Sequence, residues 1–216
     1  MIELSLNEVE MLAAKAARGA GFSWGLCDDI GKCARALAAG GLPWAPSLLV
    51  LAQHSPSLAA PTLSLSAEAG PIILPIAAAS RLCPVRTGAL IADRSGILAG
   101  HPLRIDRVAH PLWLVGFAVL WDVRVRVSWN GACADVGGGA IAAKAGDPGW
   151  LAVDAGVTVS SGPAGVREAD RWRRASVDPK LFEALGAMAA RTYVPASPAP
   201  APPAPAAAGP TTNDKA

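Results

Sequence analysis

Charged residues are scarce in this chain. Only 17% of its 216 residues are Asp, Glu, Lys or Arg, and the formal net charge at pH 7 is +2. Nucleic acids and anionic membranes bind proteins through clusters of Lys and Arg, so this balance gives no reason to expect either partner. The seven tryptophans are spread along the sequence and do not form a platform on which bases stack. We therefore expect neither a nucleic acid nor a membrane as partner.

Long hydrophobic runs are also missing. The most apolar stretch, residues 111–121, is far shorter than the roughly 20 residues that a membrane-spanning helix needs. The first five residues contain no basic region followed by an apolar core, so they do not resemble a secretory signal. These two observations predict a cytoplasmic protein.

Signatures of metal and cofactor binding are missing too. The four cysteines form no Cys-x-x-Cys pair, and the histidines at 54, 101 and 110 lack the spacing of a local metal site. Each histidine is closely followed by proline, which predicts turns. The glycines at 137–139 match no phosphate-binding spacing, which favours a bulge or turn, and no Gly-x-Ser-x-Gly elbow is present. We expect free thiols, as in a reducing compartment, and neither a metal ion nor a cofactor.

The clearest positive signal lies in the middle of the chain, at residues 123–136. Valine and tryptophan alternate there with polar residues, and Asn130-Gly131 tolerates the positive φ angles of a two-residue type I′ turn. Such a turn places Trp129 opposite Ala132 and Arg126 opposite Asp135. The pattern predicts an antiparallel hairpin in a sheet with one buried face and one solvent-facing face.

Helical patterns flank this β-rich middle. Ser5 and Glu8 form a capping box, and apolar residues at helical spacing then predict two helices and a short third one before residue 54. Asp178 and Pro179 open a last helix that runs to about Arg191. Buried or alternating runs predict further strands at 62–66, 72–74, 112–121 and 151–159. Mostly antiparallel pairing is expected, because too few residues separate the strands for crossover helices.

These elements predict an α+β fold in three parts. Residues 1–54 form an N-terminal helical subdomain, and residues 55–194 form a mostly antiparallel β-rich core with a C-terminal helix. Residues 195–216 form an Ala/Pro-rich tail that has too few bulky side chains to pack, so we expect it to be disordered.

One stretch is a candidate ligand site. Residues 80–96 contain three arginines, an aspartate and several hydroxyl side chains between glycines, and arginine guanidinium groups suit a carboxylate or phosphate. The candidate ligand-binding residues are Arg81, Arg86, Asp93 and Arg94, together with His54. In an enzyme, Asp93 or His54 would act as the base. The alternative is a set of solvated loops and strand edges.

Three segments carry a resemblance to a known family: residues 4–10, the predicted helix end at 16–21 and the C-terminal segment 189–197. With these segments the chain resembles a bacterial protein family of unknown function over most of residues 1–197. The resemblance implies a cytoplasmic bacterial protein of one compact unit and no reaction. The chain departs from the family pattern after Ser197, where Pro198 and the Ala/Pro-rich tail replace a Ser-Arg and Gly-Ala-Gly stretch.

Two functional hypotheses remain. The first is a non-catalytic protein that binds a small ligand or serves as an accessory subunit of a metabolic enzyme, so its partner is a small anionic metabolite or an enzyme subunit. The alternative is an enzyme that acts on small anionic metabolites through an arginine-lined pocket. Convergence of Arg86, Asp93 and His54 on one concave pocket would favour the enzyme.

Overall fold

The computed structural model describes residues 1–66, 70–77, 80–143, 148–163 and 174–192, and the predicted disordered tail lies outside them. The predicted α+β class is confirmed. Six α-helices and nine strands occur within the described residues: β1 (Ile2–Ser5), α1 (Leu6–Gly19), α2 (Trp24–Ala39), α3 (Trp44–His54), β2 (Pro61–Ser66), β3 (Gly70–Pro75), α4 (Pro84–Asp93), β4 (Leu103–Ala109), α5 (Leu112–Ala118), β5 (Val125–Trp129), β6 (Ala132–Gly137), β7 (Ala140–Ala143), β8 (Asp154–Ser161), β9 (Arg174–Val177) and α6 (Pro179–Ala190). Across these ranges, every helix falls short of the length and apolar character that crossing a membrane requires.

Seven strands form the main sheet, in the order β2-β3-β4-β8-β5-β6-β7. Its pairs are antiparallel except β3 with β4, which run parallel, so the predicted mostly antiparallel sheet is confirmed. The prediction of no crossover helix is wrong, because α4 lies in the connection between the parallel strands. Residues 76–102 make up this connection, which exceeds the dozen or so residues that a crossover needs.

The central hairpin has the predicted register. Asn130-Gly131 forms the turn with φ angles of 41° and 83°, and Trp129 pairs with Ala132 across β5 and β6. Arg126 donates two hydrogen bonds to the carboxylate of Asp135, at 2.7 and 2.8 Å. The local alternation and the turn residues are therefore sufficient to define this part of the sheet.

The three consecutive glycines close a second hairpin. Gly138 and Gly139 have φ angles of 59° and 75° and connect β6 to β7, whose pairing begins at Gly137 with Ala140. Both positive φ angles suit a two-residue hairpin turn, where glycine carries no steric penalty. The sequence predicts a bulge or a turn at these glycines, and the structure has a turn there.

Helix α5 corrects a sequence prediction. The sequence predicts a buried strand at 112–121, but these residues form α5 followed by a 3₁₀ turn at Val119–Trp121. All seven residues of α5 are buried, and the helix packs against α2, α4, β5 and β6. A helix that is apolar all round has no amphipathic period, so its sequence cannot be distinguished from that of a buried strand.

The N-terminal helices begin and end close to where the caps predict. The amide of Glu8 donates to Ser5 Oγ at 3.2 Å and the amide of Ser5 donates to the Glu8 carboxylate at 2.7 Å, which completes the capping box of α1. Helix α3 begins at Trp44, two residues before the expected Pro46.

The two ends of the described chain meet. Strand β1 pairs with β9, which leads directly into α6, and α6 packs on α1 and α3. One hydrophobic cluster includes buried side chains from these helices and from the main sheet. The boundaries at residues 54 and 194 stay predictions.

Candidate functional site

A cleft of about 460 Å³ opens where the first turn of α4 meets the connection between α1 and α2. We call it the α4 cleft. Its polar and ionisable side chains come from Ser23, Ser55, Cys83 and Arg86, and Phe22 and Leu26 contribute apolar surface. None of its lining residues is acidic.

The end of α1 shapes one wall of this cleft. The amide of Gly21 donates to the Arg18 carbonyl at 2.9 Å, and the amide of Phe22 donates to the Ala17 carbonyl at 3.1 Å. This pair of bonds is the Schellman pattern that ends a helix and reverses the chain. The reversal buries Phe22 and leaves Ser23 exposed at the opening.

Helix α4 forms the opposite wall. Pro84 occupies its first position, and the exposed Arg86 lies in the same first turn. Burial raises the pKa of the Cys83 thiol, against the effect of the nearby backbone amides of Arg86 and Val85. Because the thiol is neutral near pH 7, the Arg86 guanidinium is the charged group of the cleft, and the cleft favours an anion.

Beside this cleft, two histidine side chains meet. Nδ1 of His54 lies 3.2 Å from Nε2 of His110, the ring centres are 5.5 Å apart and the ring planes differ by 8°. With ring bonds of about 1.33 Å, each nitrogen lies about 1.1 Å from its ring centre, so the four points are nearly collinear. The rings are therefore coplanar, edge to edge, and share an in-line N–H···N hydrogen bond.

The backbone around His110 has an uncommon conformation. His110 has a φ of 47° and Arg107 a φ of 41°, in the left-handed region that non-glycine residues seldom adopt. The register of β4 against β8 shifts between Ile105 and Val108, and the amide of His110 donates to the Val153 carbonyl at 3.0 Å. Such conformations persist only where the surrounding structure holds them in place, and they cluster at functional sites.

His110 is held in its neutral form. The residue is only 5% exposed, and this burial lowers its pKa to about 4, with further lowering by the charges of His54 and Arg81. The Asp154 carboxylate acts in the opposite direction but lies 3.9 Å from the Arg107 guanidinium, which offsets its charge. The imidazole of His110 is therefore uncharged at physiological pH.

The site lies at the carboxyl ends of the parallel strands. His110 follows β4 directly, and Arg81 lies in the crossover after β3. The amide of Ala59 donates to the Arg81 carbonyl at 2.8 Å and the amide of Cys83 donates to the Ala59 carbonyl at 3.0 Å. These bonds join the segment after α3 to the segment before α4. The histidines themselves do not line the cleft, but His54 immediately precedes the lining residue Ser55.

The five predicted ligand-binding residues divide into two groups. Arg86 lines the α4 cleft, His54 immediately precedes the lining residue Ser55, and Arg81 is close enough to His110 to lower its pKa. Asp93 and Arg94 are exposed at the far end of α4, about 10 Å along the helix axis from Arg86. The structure does not bring these two residues together with the other three.

Sequence reasoning missed His110. It lies 56 residues from His54 with no local motif between them, and only the ends of α3 and β4 bring the rings together. Its position before proline in a turn is confirmed, whereas His54 is the last residue of α3. Ser55 and Cys83 carried no signal either. Within the described part of the chain the cysteines are free thiols, and no group of three His, Cys, Asp or Glu could hold a metal ion.

Because His110 is neutral in the folded protein, the free energy of unfolding should decrease as the pH is lowered. Between the unfolded pKa of 6.5 and the folded pKa of about 4, the unfolded chain binds a proton that the folded histidine does not. The free energy of unfolding should therefore fall by about 1.4 kcal/mol per pH unit in this window, or about 2 kcal/mol from pH 6.5 to pH 5. His110→Asn should remove this contribution, because asparagine tolerates the positive φ. Urea unfolding at pH 7 and pH 5 measures the difference, and equal pH dependence in both proteins would contradict it.

Comparison with known proteins gives one finding. Residues 4–71 match a family model described as a protein of unknown function, DUF3726. The match confirms the resemblance to an uncharacterised family over this segment, which contains Ser23 and Ser55 of the cleft but not Arg86. No curated protein matches the chain, and no solved structure does.

Proposed function

We propose that this protein binds a small organic anion, a carboxylate or a phosphate ester, in the α4 cleft and does so as a non-catalytic ligand-binding protein. The observation that carries the proposal is the Arg86 guanidinium in a concave site that has two serine hydroxyls and no acidic lining residue. A guanidinium can hold either anion through two parallel hydrogen bonds.

The size and lining of the cleft support a ligand of metabolite size. Its volume of about 460 Å³ is within the 300–1,000 Å³ that is typical of small-molecule sites. Phe22 and Leu26 offer apolar surface to the body of the ligand, and the Ser23 hydroxyl can donate a hydrogen bond to it. The Ser55 hydroxyl donates to the Ala20 carbonyl at 3.5 Å and can accept a hydrogen bond from the ligand. A few polar groups in apolar surroundings are the usual means of orienting a small ligand.

The placement of Asp93 and Arg94 supports binding rather than the arginine-lined catalytic pocket expected from the sequence. Both side chains are exposed at the end of α4 opposite Arg86. Neither residue lines the cleft that Arg86 lines. A single guanidinium with hydroxyl groups suffices for recognition.

Replacing Arg86 should abolish most of the binding. A thermal-shift screen against small carboxylates and phosphate esters identifies a ligand, and Arg86→Ala should then weaken its Kd by about 10- to 100-fold, the effect of losing one or two charge-assisted hydrogen bonds. Arg86→Lys keeps the charge but not the planar fork, so it should give an intermediate Kd.

Arg94→Ala is the matched control. It removes another exposed arginine, the C-cap of the same helix, at the end away from the cleft, and should leave the Kd unchanged. Equal loss of binding in both variants would show a general effect of charge and would overturn the proposal. A screen in which no small anion raises the melting temperature would overturn it as well.

We also propose that the protein is bacterial and cytoplasmic. Cys27, Cys33 and Cys83 are buried free thiols, and burial raises the pKa of each. Thiols packed as apolar side chains are typical of a reducing compartment. The bacterial source is proposed from the resemblance of residues 4–10, 16–21 and 189–197 to a bacterial family.

A further inference from the structure

Two histidines outside the α4 cleft have the geometry of a pair of metal ligands. Nδ1 of His54 lies 3.2 Å from Nε2 of His110, and the ring centres are 5.5 Å apart, so the line between the centres passes through both nitrogens. The lone pair of an imidazole nitrogen lies in the ring plane and points away from the ring centre. The two nitrogens therefore face each other along one axis, and an ion on that axis would have a ligand on each of two opposite sides.

The ends of two different elements hold the rings in this position. His54 is the last residue of α3, and His110 follows β4 directly. The amide of His110 donates to the Val153 carbonyl at 3.0 Å, and the surrounding structure maintains its φ of 47°. His110 is buried, whereas His54 is partly exposed and has room to adjust. Ligands that are already aligned lose little conformational entropy when they bind.

The number of ligands and the nearby charges decide which ion this pair can hold. Zn²⁺ sites use three or four protein ligands, and among the described residues no group of three His, Cys, Asp or Glu side chains is suitably placed. Two imidazole nitrogens in line suit Cu(I), which accepts two ligands on opposite sides. The positive charge of Arg81 acts on His110 more strongly than the negative charge of Asp154 does. These surroundings repel a monovalent ion less than a divalent one.

We propose that His54 and His110 form a two-coordinate site for Cu(I), with Nδ1 of His54 and Nε2 of His110 as the ligands. The site is separate from the α4 cleft and does not depend on the anion proposed to bind there. One proton lies between the two nitrogens, and when the ion enters, this proton moves to the other nitrogen of the ring that carries it. Either neutral tautomer can therefore bind the ion without losing a proton.

Only a small movement is needed to admit the ion. Metal–nitrogen bonds of about 2.0 Å place the two nitrogens about 4 Å apart, so the rings must separate by about 0.8 Å. Rotation of the partly exposed His54 about its side-chain bonds provides this change while His110 stays in place.

Cu(I) titration of the full-length protein tests this site. The exposed thiol of Cys133 would itself bind Cu(I), so every measurement uses the Cys133→Ser background. In anaerobic competition with the chelator bicinchoninate, this protein should bind one Cu(I) per chain. His54→Gln and His110→Asn should each raise the Kd by at least about 100-fold, because the loss of even an outer partner of a metal ligand costs about 10- to 100-fold. His101→Gln, an exposed histidine at the other end of β4, should leave the Kd unchanged.

X-ray absorption at the copper edge distinguishes this site from the buried thiols. The bound ion should have two nitrogen neighbours and no sulfur neighbour, and a sulfur neighbour would overturn the proposal. This measurement is made with both histidines present, so it stays decisive if a histidine variant unfolds. Excess Zn²⁺ should not displace Cu(I), and displacement would refute a site with two ligands. Absence of Cu(I) binding, or an unchanged Kd in a folded His54→Gln protein, would refute the site as well.

Discussion

Replacing Gly19 with alanine should destabilise the fold by about 3 kcal/mol, the upper range of overpacking effects. A Cβ at this position would lie 1.8 Å from the carbonyl oxygen of Met188 and 2.8 Å from its carbonyl carbon. These are backbone atoms of α6, so no side-chain rotation can relieve the contact. Either the end of α1 or the whole of α6 must move.

Gly186→Ala is the matched control for this prediction. Gly186 is on the same helix, α6, but a Cβ there meets nothing within 4 Å. Alanine should therefore raise the free energy of unfolding by about 0.5–1 kcal/mol, since it restricts the unfolded backbone more than glycine does. Urea unfolding of the two variants should show shifts of opposite sign. Two shifts of the same sign would contradict the close approach of α1 and α6.

The Gly19 contact also matters for the candidate site. The wall of the α4 cleft begins at Ala20, directly after Gly19. Displacement of the end of α1 moves this wall relative to Arg86. A Gly19→Ala protein that still folds should therefore bind the small anion more weakly, although it retains every polar side chain of the cleft.

The parts of the fold that the sequence predicts are those defined by local chemistry. The Asn130-Gly131 turn fixes the register of β5 with β6, and Ser5 with Glu8 fixes the start of α1. In each case the residues that decide the structure are within a few positions of one another. The start of α6 follows the same rule, because the Asp178 carboxylate accepts from the Lys180 amide at 2.8 Å.

The errors arise where the deciding contacts are distant. Helix α5 is buried on all sides by other elements, so its sequence has no polar face to reveal the helical period. Glycines and arginines punctuate the sequence of α4, which gives no helical signal, so the sequence does not predict the parallel pairing of β3 with β4. The tertiary structure around each segment supplies the missing information.

The same reason explains which parts of the site were found. The sequence shows that Arg81, Arg86 and Arg94 are near one another in the chain. It does not show that α4 places Arg86 and Arg94 at opposite ends of a helix. The pairing of His54 with His110 depends on the end of α3 meeting the end of β4. The contact between their ring nitrogens could not be predicted from either residue's neighbours in the chain.

Gly88→Ala should also destabilise the fold by about 3 kcal/mol, in the same upper range of overpacking. A Cβ on Gly88 would lie between 2.3 and 2.7 Å from three atoms of the fully buried Phe117. The Gly88 carbonyl also accepts a hydrogen bond from Trp121 Nε1 at 3.0 Å, so α4 cannot simply move away from α5 without loss of that bond. Gly88→Ala should therefore displace or strain α4, the helix that carries Arg86.

A double-mutant cycle with Phe117→Ala tests whether the contact itself is the cause. Phe117→Ala should cost about 3–5 kcal/mol alone, because it leaves a cavity in the core. It also removes the two ring atoms closest to the added Cβ, so Gly88→Ala should cost at least about 1 kcal/mol less in that background. Urea unfolding of the four proteins gives the coupling free energy. Strict additivity would mean that Gly88 is required by something other than its approach to Phe117, and α4 would then not be held by this contact.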